Sequence, residues 1–146
     1  MPRVIKGEKA RQWGARWNQP GTAMVYAAST SSLAILEQLV QVRIETGALA
    51  IVAIDIPDDL PVKRITETGL PRDWRRPKHE FCSRFGSEWA ASGKTLTLCV
   101  PSAVNVIEDI VLLNPLHPAI TRCKISEPIG VHMDRRLVAL IERAVR

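Results

Sequence analysis

Cysteine is scarce and scattered in this sequence. Cys82, Cys99 and Cys123 are odd in number and form no C-x-x-C pair, which argues against a disulfide framework or a zinc cluster and fits a reducing cytoplasm. Long apolar runs are missing as well: the longest, Ala48 to Ile54, is far too short to span a bilayer. The basic N-terminus is followed by no apolar segment of the kind a signal peptide carries. The expectation is a cytoplasmic protein without membrane contact. Aromatics are few, with one tyrosine and two phenylalanines. Only Trp74, with Phe81 beyond it, accompanies a basic run, so a base-stacking platform has little to be built from and direct nucleic-acid binding is not expected. His79, His117 and His132 are too dispersed to form a metal site by spacing, and His117, flanked by Pro115 and Pro118, reads as structural.

What is present is ordinary globular material. At 146 residues, 46% hydrophobic and 24% charged, the chain reads as a single domain, residues 1–146, large enough to close a core. The net charge of +5 is unevenly placed. Arg3, Lys6, Lys9, Arg11 and Arg16 face only Glu8 in the first twenty residues, and Arg72, Arg75, Arg76, Lys78 and Arg84 form a second basic run. Such runs usually serve solubility. A phosphorylated small ligand, an acidic protein or nucleic acid are the functional readings, and charge alone does not separate them.

The pattern predicts an α+β fold, a compact mixed β core with flanking helices, because strands and helices mix without strict alternation. Residues 1–22 read as a loop, Met24–Ala27 as a short strand, and Ser31–Glu45 as a helix capped within Ser29–Ser32 and stopped by Gly47. Ala48–Ile56 reads as one buried strand, and Val62–Thr66 as an edge strand after Pro61. An irregular loop follows from Gly69 to Lys78, then a helix Glu80–Ala91 closed by Gly93. Thr95–Val100 reads as a strand stopped by Pro101, Asn114–Pro118 as a turn, Thr121–Ile129 as a strand, and Arg135–Val145 as a helix capped by Asp134.

One glutamate is out of place in that scheme. In the helix Ser31–Glu45, Glu37 shares a face with Leu33, Val40 and Ile44, while Ile35, Leu39 and Val42 line the opposite side. The helix should therefore be largely buried. An ionised carboxylate there costs several kcal/mol unless it is paired or hydrogen-bonded. Either it serves a structural ion pair, or the helix rolls to expose it beside Gln41, or it faces a ligand. Arg16, among Trp13, Trp17 and Asn18, has no local acid to neutralise it. Tyr26 reads as a core aromatic with its hydroxyl at the rim, and Ser102, after Pro101, as a turn or cap serine. The segment SGKTLT, Ser92–Thr97, mimics the tail of a phosphate-binding loop, but Glu88 stands where its leading glycine belongs and a strand follows it.

The order of these residues is more informative than any one of them. KGEKARQWGARWNQPGTAMVYAASTSSLAILEQLV, then LTLCVPSAV, LLNPLHP and MDRRL, resembles the RES-domain family from Gly7 to Leu137. The matching features are Arg16 in R-W-N, Tyr26, Glu37 in L-E-x-L-V, Ser102 in V-P-S-A-V and Asn114 in L-N-P-x-H-P. Members are toxins of bacterial toxin–antitoxin pairs, named for an arginine, a glutamate and a serine. The resemblance implies an ADP-ribosyltransferase-like fold and consumption of NAD, cleaved at the nicotinamide–ribose bond with the ADP-ribosyl group passed to water, phosphate or a protein. NAD is then substrate, and no cofactor or metal is implied. No Rossmann fingerprint is present either, which argues against NAD as a redox cofactor.

By the same resemblance Arg16, Glu37 and Ser102 are catalytic, and Arg16, Trp17, Tyr26, Ser102 and Asn114 bind substrate. A cognate Xre-like antitoxin occludes the site, a homodimer within such a complex being allowed. Members usually carry an extra N-terminal strand where only Met1 to Lys6 precede the Gly7 region, and Lys9 and Ala15 replace usual glycines. Trp17 is the candidate to replace a second pocket tyrosine. The residue types fit the chemistry. A carboxylate stabilises oxocarbenium charge on the ribose, an arginine grips phosphate or ribose, a tyrosine stacks on nicotinamide, and a serine hydroxyl fixes ribose or amide. On this reading Glu37 is buried because it faces a cleft, and Arg16 lacks a partner because the ligand supplies one. The alternative from another class is a catalytically silent basic binding module.

Overall fold

The computed structural model describes residues 5–41 and 49–145. In chain order the elements are α1 (Glu8–Trp13), β1 (Val25–Ala28), α2 (Ser31–Leu39), β2 (Leu49–Ile51), β3 (Ile54–Asp55), β4 (Val62–Arg64), α3 (Glu80–Ser92), β5 (Thr97–Pro101), β6 (Asp109–Leu113), β7 (Lys124–Ile125), β8 (Ile129–Val131) and α4 (Arg135–Val145). Single 3-10 turns occupy Glu67–Gly69 and Pro118–Arg122. This is the mixed α+β architecture expected.

The main sheet has the order β1-β6-β5-β4. β6 is antiparallel to both β1 and β5, while β4 runs parallel to β5 at one edge. Tyr26 lies opposite Leu112, and Leu112 opposite Leu98; Ala28, Ile110 and Val100 form the next such row. Residues in register share a face of the sheet, so Tyr26 projects to the face that carries Leu98, Val100, Ile110 and Leu112. That face is the core. Leu33 of α2, Cys82 and Trp89 of α3, and the loop residues Trp17 and Trp74 pack on it.

Local chemistry explains the helix ends. The Thr30 hydroxyl accepts the Leu33 N–H at 3.1 Å to start α2. His79 Nδ1 accepts the Phe81 N–H at 3.2 Å to start α3, and Gly93, at φ 61°, ends it in a left-handed conformation that favours glycine. Asp134 Oδ1 takes the Arg136 N–H at 2.8 Å before α4. His117 caps the second 3-10 turn through Ala119 N–H.

The structure differs from the sequence expectation in five places. The stretch 1–22 is not all loop, since α1 forms within it. The apolar run from Ala48 does not form one buried strand: it breaks at Val52–Ala53 into β2 and β3, which pair with β8 and β7 as separate two-stranded ribbons. Thr121–Ile129 divides correspondingly between β7 and β8. β6, a central strand, forms between Pro101 and Asn114, where the sequence pattern predicts no element. Finally, α2 buries only Leu33, with Leu36 40% and Val40 53% exposed, so Glu37 does not sit on a fully buried helix. The expected continuation of α2 to Glu45, the stop at Gly47 and the strand start at Ala48 lie outside the described residues.

One buried group lacks a partner. Thr97, 1% exposed at the head of β5, has a hydroxyl without a hydrogen-bond partner among the described residues. An unsatisfied buried hydroxyl costs about 1–3 kcal/mol, and valine has nearly the same shape. Thr97→Val is therefore expected to raise the denaturant midpoint by about 1 kcal/mol equivalent at unchanged slope. A lowered midpoint would mean that the hydroxyl is satisfied in solution.

Candidate active site

The R-W-N segment is a tight turn. Ala15 and Asn18 exchange backbone hydrogen bonds, Ala15 N–H to Asn18 O at 3.0 Å and the reverse at 3.4 Å, with Arg16 and Trp17 at the corners. The Trp17 indole drops into the core, 1% exposed, with its ring centroid 6.1 Å from that of Trp74. Trp17 therefore presents no ring surface to a ligand, as a pocket residue would. Trp74 is equally buried, which removes the base-stacking platform considered from composition.

Arg16 is partly buried and held by the basic loop. Its Nη1 donates to the carbonyls of Trp74 at 2.9 Å and Arg76 at 3.1 Å, and its guanidinium lies 5.7 Å from the centre of the Trp74 ring. No carboxylate pairs with it among the described residues, and its remaining N–H groups have no partner there. The loop that grips it is itself fastened. Asp73 bonds both Arg76 and His79, and Glu67 bonds the Trp74 indole N–H and pairs with Arg75. Arg75 and Arg76 of the middle basic run are thus paired with acids in the loop that orients Arg16. Two hydrogen bonds to carbonyls leave the positive charge intact, and a guanidinium so anchored loses little further freedom on gripping an anion.

Tyr26 meets the same turn. Its hydroxyl accepts the Trp17 N–H at 3.0 Å and donates to Asn18 Oδ1 at 2.6 Å. The residue is 37% exposed, yet the hydroxyl end is enclosed. Burial pushes the phenol far above its ordinary pKa, and the Trp17 N–H and the Arg16 charge pull it back only in part. The phenol stays protonated at any physiological pH.

At the far end of the same face lies Glu37. The Ser102 hydroxyl donates to Glu37 Oε1 at 2.8 Å and accepts the N–H groups of Val104 at 3.1 Å and Asn105 at 3.0 Å. With its lone pairs occupied by backbone donors, the hydroxyl can only point its proton at the carboxylate. Ser102 is completely buried, so it supports Glu37 without reaching a ligand itself. A second strap joins the same loop to the start of α2: Glu108 accepts the Thr30 hydroxyl at 2.7 Å and the Asn105 amide at 3.0 Å. Thr30, Asn105 and Glu108 were not singled out from the sequence, because their roles depend on contacts up to 78 residues apart.

Asn114 is 3% exposed and its amide is committed to the chain: Nδ2 donates to Ala90 O at 2.9 Å and Oδ1 accepts the Leu116 N–H at 3.0 Å. It ties α3 to the turn after β6, away from Ser102. The structure therefore joins the six candidate residues into two clusters on one face of the sheet, Arg16–Trp17–Tyr26 and Glu37–Ser102, with Asn114 apart. Among the described residues, no helix is long and apolar enough to cross a membrane.

A family model described as the RES domain matches residues 3–136. The Prs ADP-ribosylating toxin of Sphingobium sp. (strain YBL2) is 38% identical over 121 residues, spanning 78% of this chain and 74% of that protein. Toxin Res of Yersinia enterocolitica is 35% identical over 136 residues, 90% of this chain and 88% of that protein. In fold, the chain is similar to one from the crystal structure of the M. tuberculosis MbcT-MbcA toxin-antitoxin complex, with a TM-score of 0.69 at 20% identity over 98% of this chain and 82% of the other. With most of its length matched by the family model and over a third of the aligned residues shared with these relatives, this chain belongs to the RES domain family.

Proposed function

We propose that this chain is the toxin of a bacterial toxin–antitoxin pair and that it consumes NAD by breaking the nicotinamide–ribose bond. The observation that carries the reading is the Glu37 carboxylate, held in place by the Ser102 hydroxyl on the sheet face it shares with Tyr26. When the glycosidic C–N bond breaks, its electron pair leaves with nicotinamide, which departs neutral and needs no acid catalyst. Positive charge is left on the ribose, and a fixed carboxylate stabilises it. The acceptor then forms the new C–O bond and releases its proton. Arg16, whose N–H groups meet no carboxylate among the described residues, suits the pyrophosphate.

The relatives' names agree with this chemistry. One is a toxin that ADP-ribosylates Prs, which favours a protein acceptor; water and phosphate are the other acceptors. A structural neighbour was solved with its antitoxin, and the net charge of +5 suits a partner that is acidic where it covers the site. Incubation of the purified protein with NAD, with and without phosphate, is expected to release nicotinamide. Dependence on phosphate would identify phosphate as acceptor, and label retained on protein would identify a protein. Folded protein that leaves NAD intact with every acceptor class would end this reading.

A further inference from the structure

We infer that Asn18 is a positioning residue of the candidate site, its side-chain amide holding the Tyr26 hydroxyl and the Arg16–Trp17 turn in a single arrangement. The inference rests on the proposed function only in that NAD is the substrate followed.

The amide is 1% exposed and every polar group on it is engaged. Nδ2 donates to Ala10 O at 2.8 Å and Thr22 O at 3.0 Å, with Gln19 O a third acceptor at 3.3 Å. Three carbonyls around one nitrogen settle which way the amide faces, since a flipped amide would set oxygen against oxygen. Oδ1 is thereby turned to Tyr26, and the phenol must donate to it. The phenol's accepting side meanwhile receives the Trp17 N–H. Tyr26 therefore has no proton to offer a ligand and can contribute only its ring.

One side chain thus ties α1 through Ala10, the turn through Gln19 and Thr22, and β1 through Tyr26. Its own backbone closes the turn on Ala15, with Arg16 at the corner. Few side chains meet that demand. Aspartate lacks the donors and would face carbonyls with a negative charge. Glutamine carries the same groups on a stem one carbon too long for a site with no spare surface. Movement of this amide would shift the Tyr26 ring and Arg16 together, and a misplaced positioning group is costly to turnover.

The test uses Asn18→Ala, Tyr26→Phe and the double variant, followed by NAD turnover, melting temperature and the 13C resonance of the tyrosine Cζ. The chain has one tyrosine, so that resonance is a single signal. Asn18→Ala is expected to move the signal, and to lower kcat/KM for NAD at least tenfold through KM, in protein that remains folded. Tyr26→Phe, which removes only the hydroxyl, is expected to lower kcat/KM as well. Adding it to Asn18→Ala should change kcat/KM less than twofold further, because both act through one hydrogen bond. A tyrosine resonance unmoved by Asn18→Ala, or losses that multiply in the double variant, would overturn the inference. If Asn18→Ala fails to fold, Tyr26→Phe decides: wild-type kcat/KM in that variant overturns it. Wild-type protein that does not consume NAD would count against the proposed function instead, and the resonance then decides the role of Asn18.

Discussion

Glu37→Gln is expected to stay folded and to lose NAD consumption at least a hundredfold, about 2.7 kcal/mol of barrier. The substitution is nearly isosteric and keeps an oxygen for the Ser102 hydroxyl at the place where it now bonds at 2.8 Å. What it removes is the negative charge, which has a role only when positive charge develops nearby. Ser102→Ala is the informative companion. It keeps the charge but strands the Val104 and Asn105 N–H groups and releases the carboxylate. Its expected effects are a loss of about 1–3 kcal/mol in stability and at least a tenfold loss of turnover, about 1.4 kcal/mol. Release of nicotinamide and thermal melting of both variants measure these effects. Wild-type turnover in folded Glu37→Gln would remove Glu37 as charge stabiliser, and loss of stability alone in Ser102→Ala would leave that serine a loop fastener.

Gly86→Ala should be among the most damaging single changes to the fold. In the middle of a helix alanine is normally favoured over glycine by about 1 kcal/mol. Gly86, however, lies where α3 crosses the R-W-N turn, and a methyl group there would overlap the Trp17 carbonyl oxygen and stand 2.8 Å from its carbonyl carbon. Both obstacles are backbone, so no rotamer change relieves them. Either α3 lifts from the core or the turn moves, and the second course takes the Trp17 N–H from the Tyr26 hydroxyl and shifts Arg16. A stability loss of about 3 kcal/mol is expected, with NAD turnover falling in whatever fraction remains folded. Denaturant unfolding of the variant checks this directly. A variant as stable as wild type would show that the turn yields freely, and that the close approach of α3 does not hold the site.

Local signals carried a definite part of this protein. The N-cap of α2 within Ser29–Ser32, the stop of α3 at Gly93, the edge position of β4 after Pro61 and the Asp134 cap of α4 each depend on residues within a few positions of one another. Such short-range bonds and dihedral preferences are visible in a linear sequence. The motif order from Arg16 to Asn114 is equally legible in the linear sequence. The sequence also pointed to Glu37 as a carboxylate in need of a partner.

Which partner it has, only the fold decided. The hydroxyl that holds Glu37 comes from a residue 65 positions away, and the carbonyls that hold Arg16 come from 58 and 60 positions away. The same limit hid β6, whose strand character depends on lying between β1 and β5, and made two ribbons of the apolar run after Ala48, whose partners are β7 and β8. Trp17 reads as a pocket residue and Ser102 as a turn or cap serine in the sequence, and both prove to be buried. A side chain's burial and its hydrogen-bond partners are properties of the elements packed around it. Composition and spacing determine which residues could do the chemistry; the closing of distant segments on one sheet face determines which of them can reach a ligand and which hold the others in place.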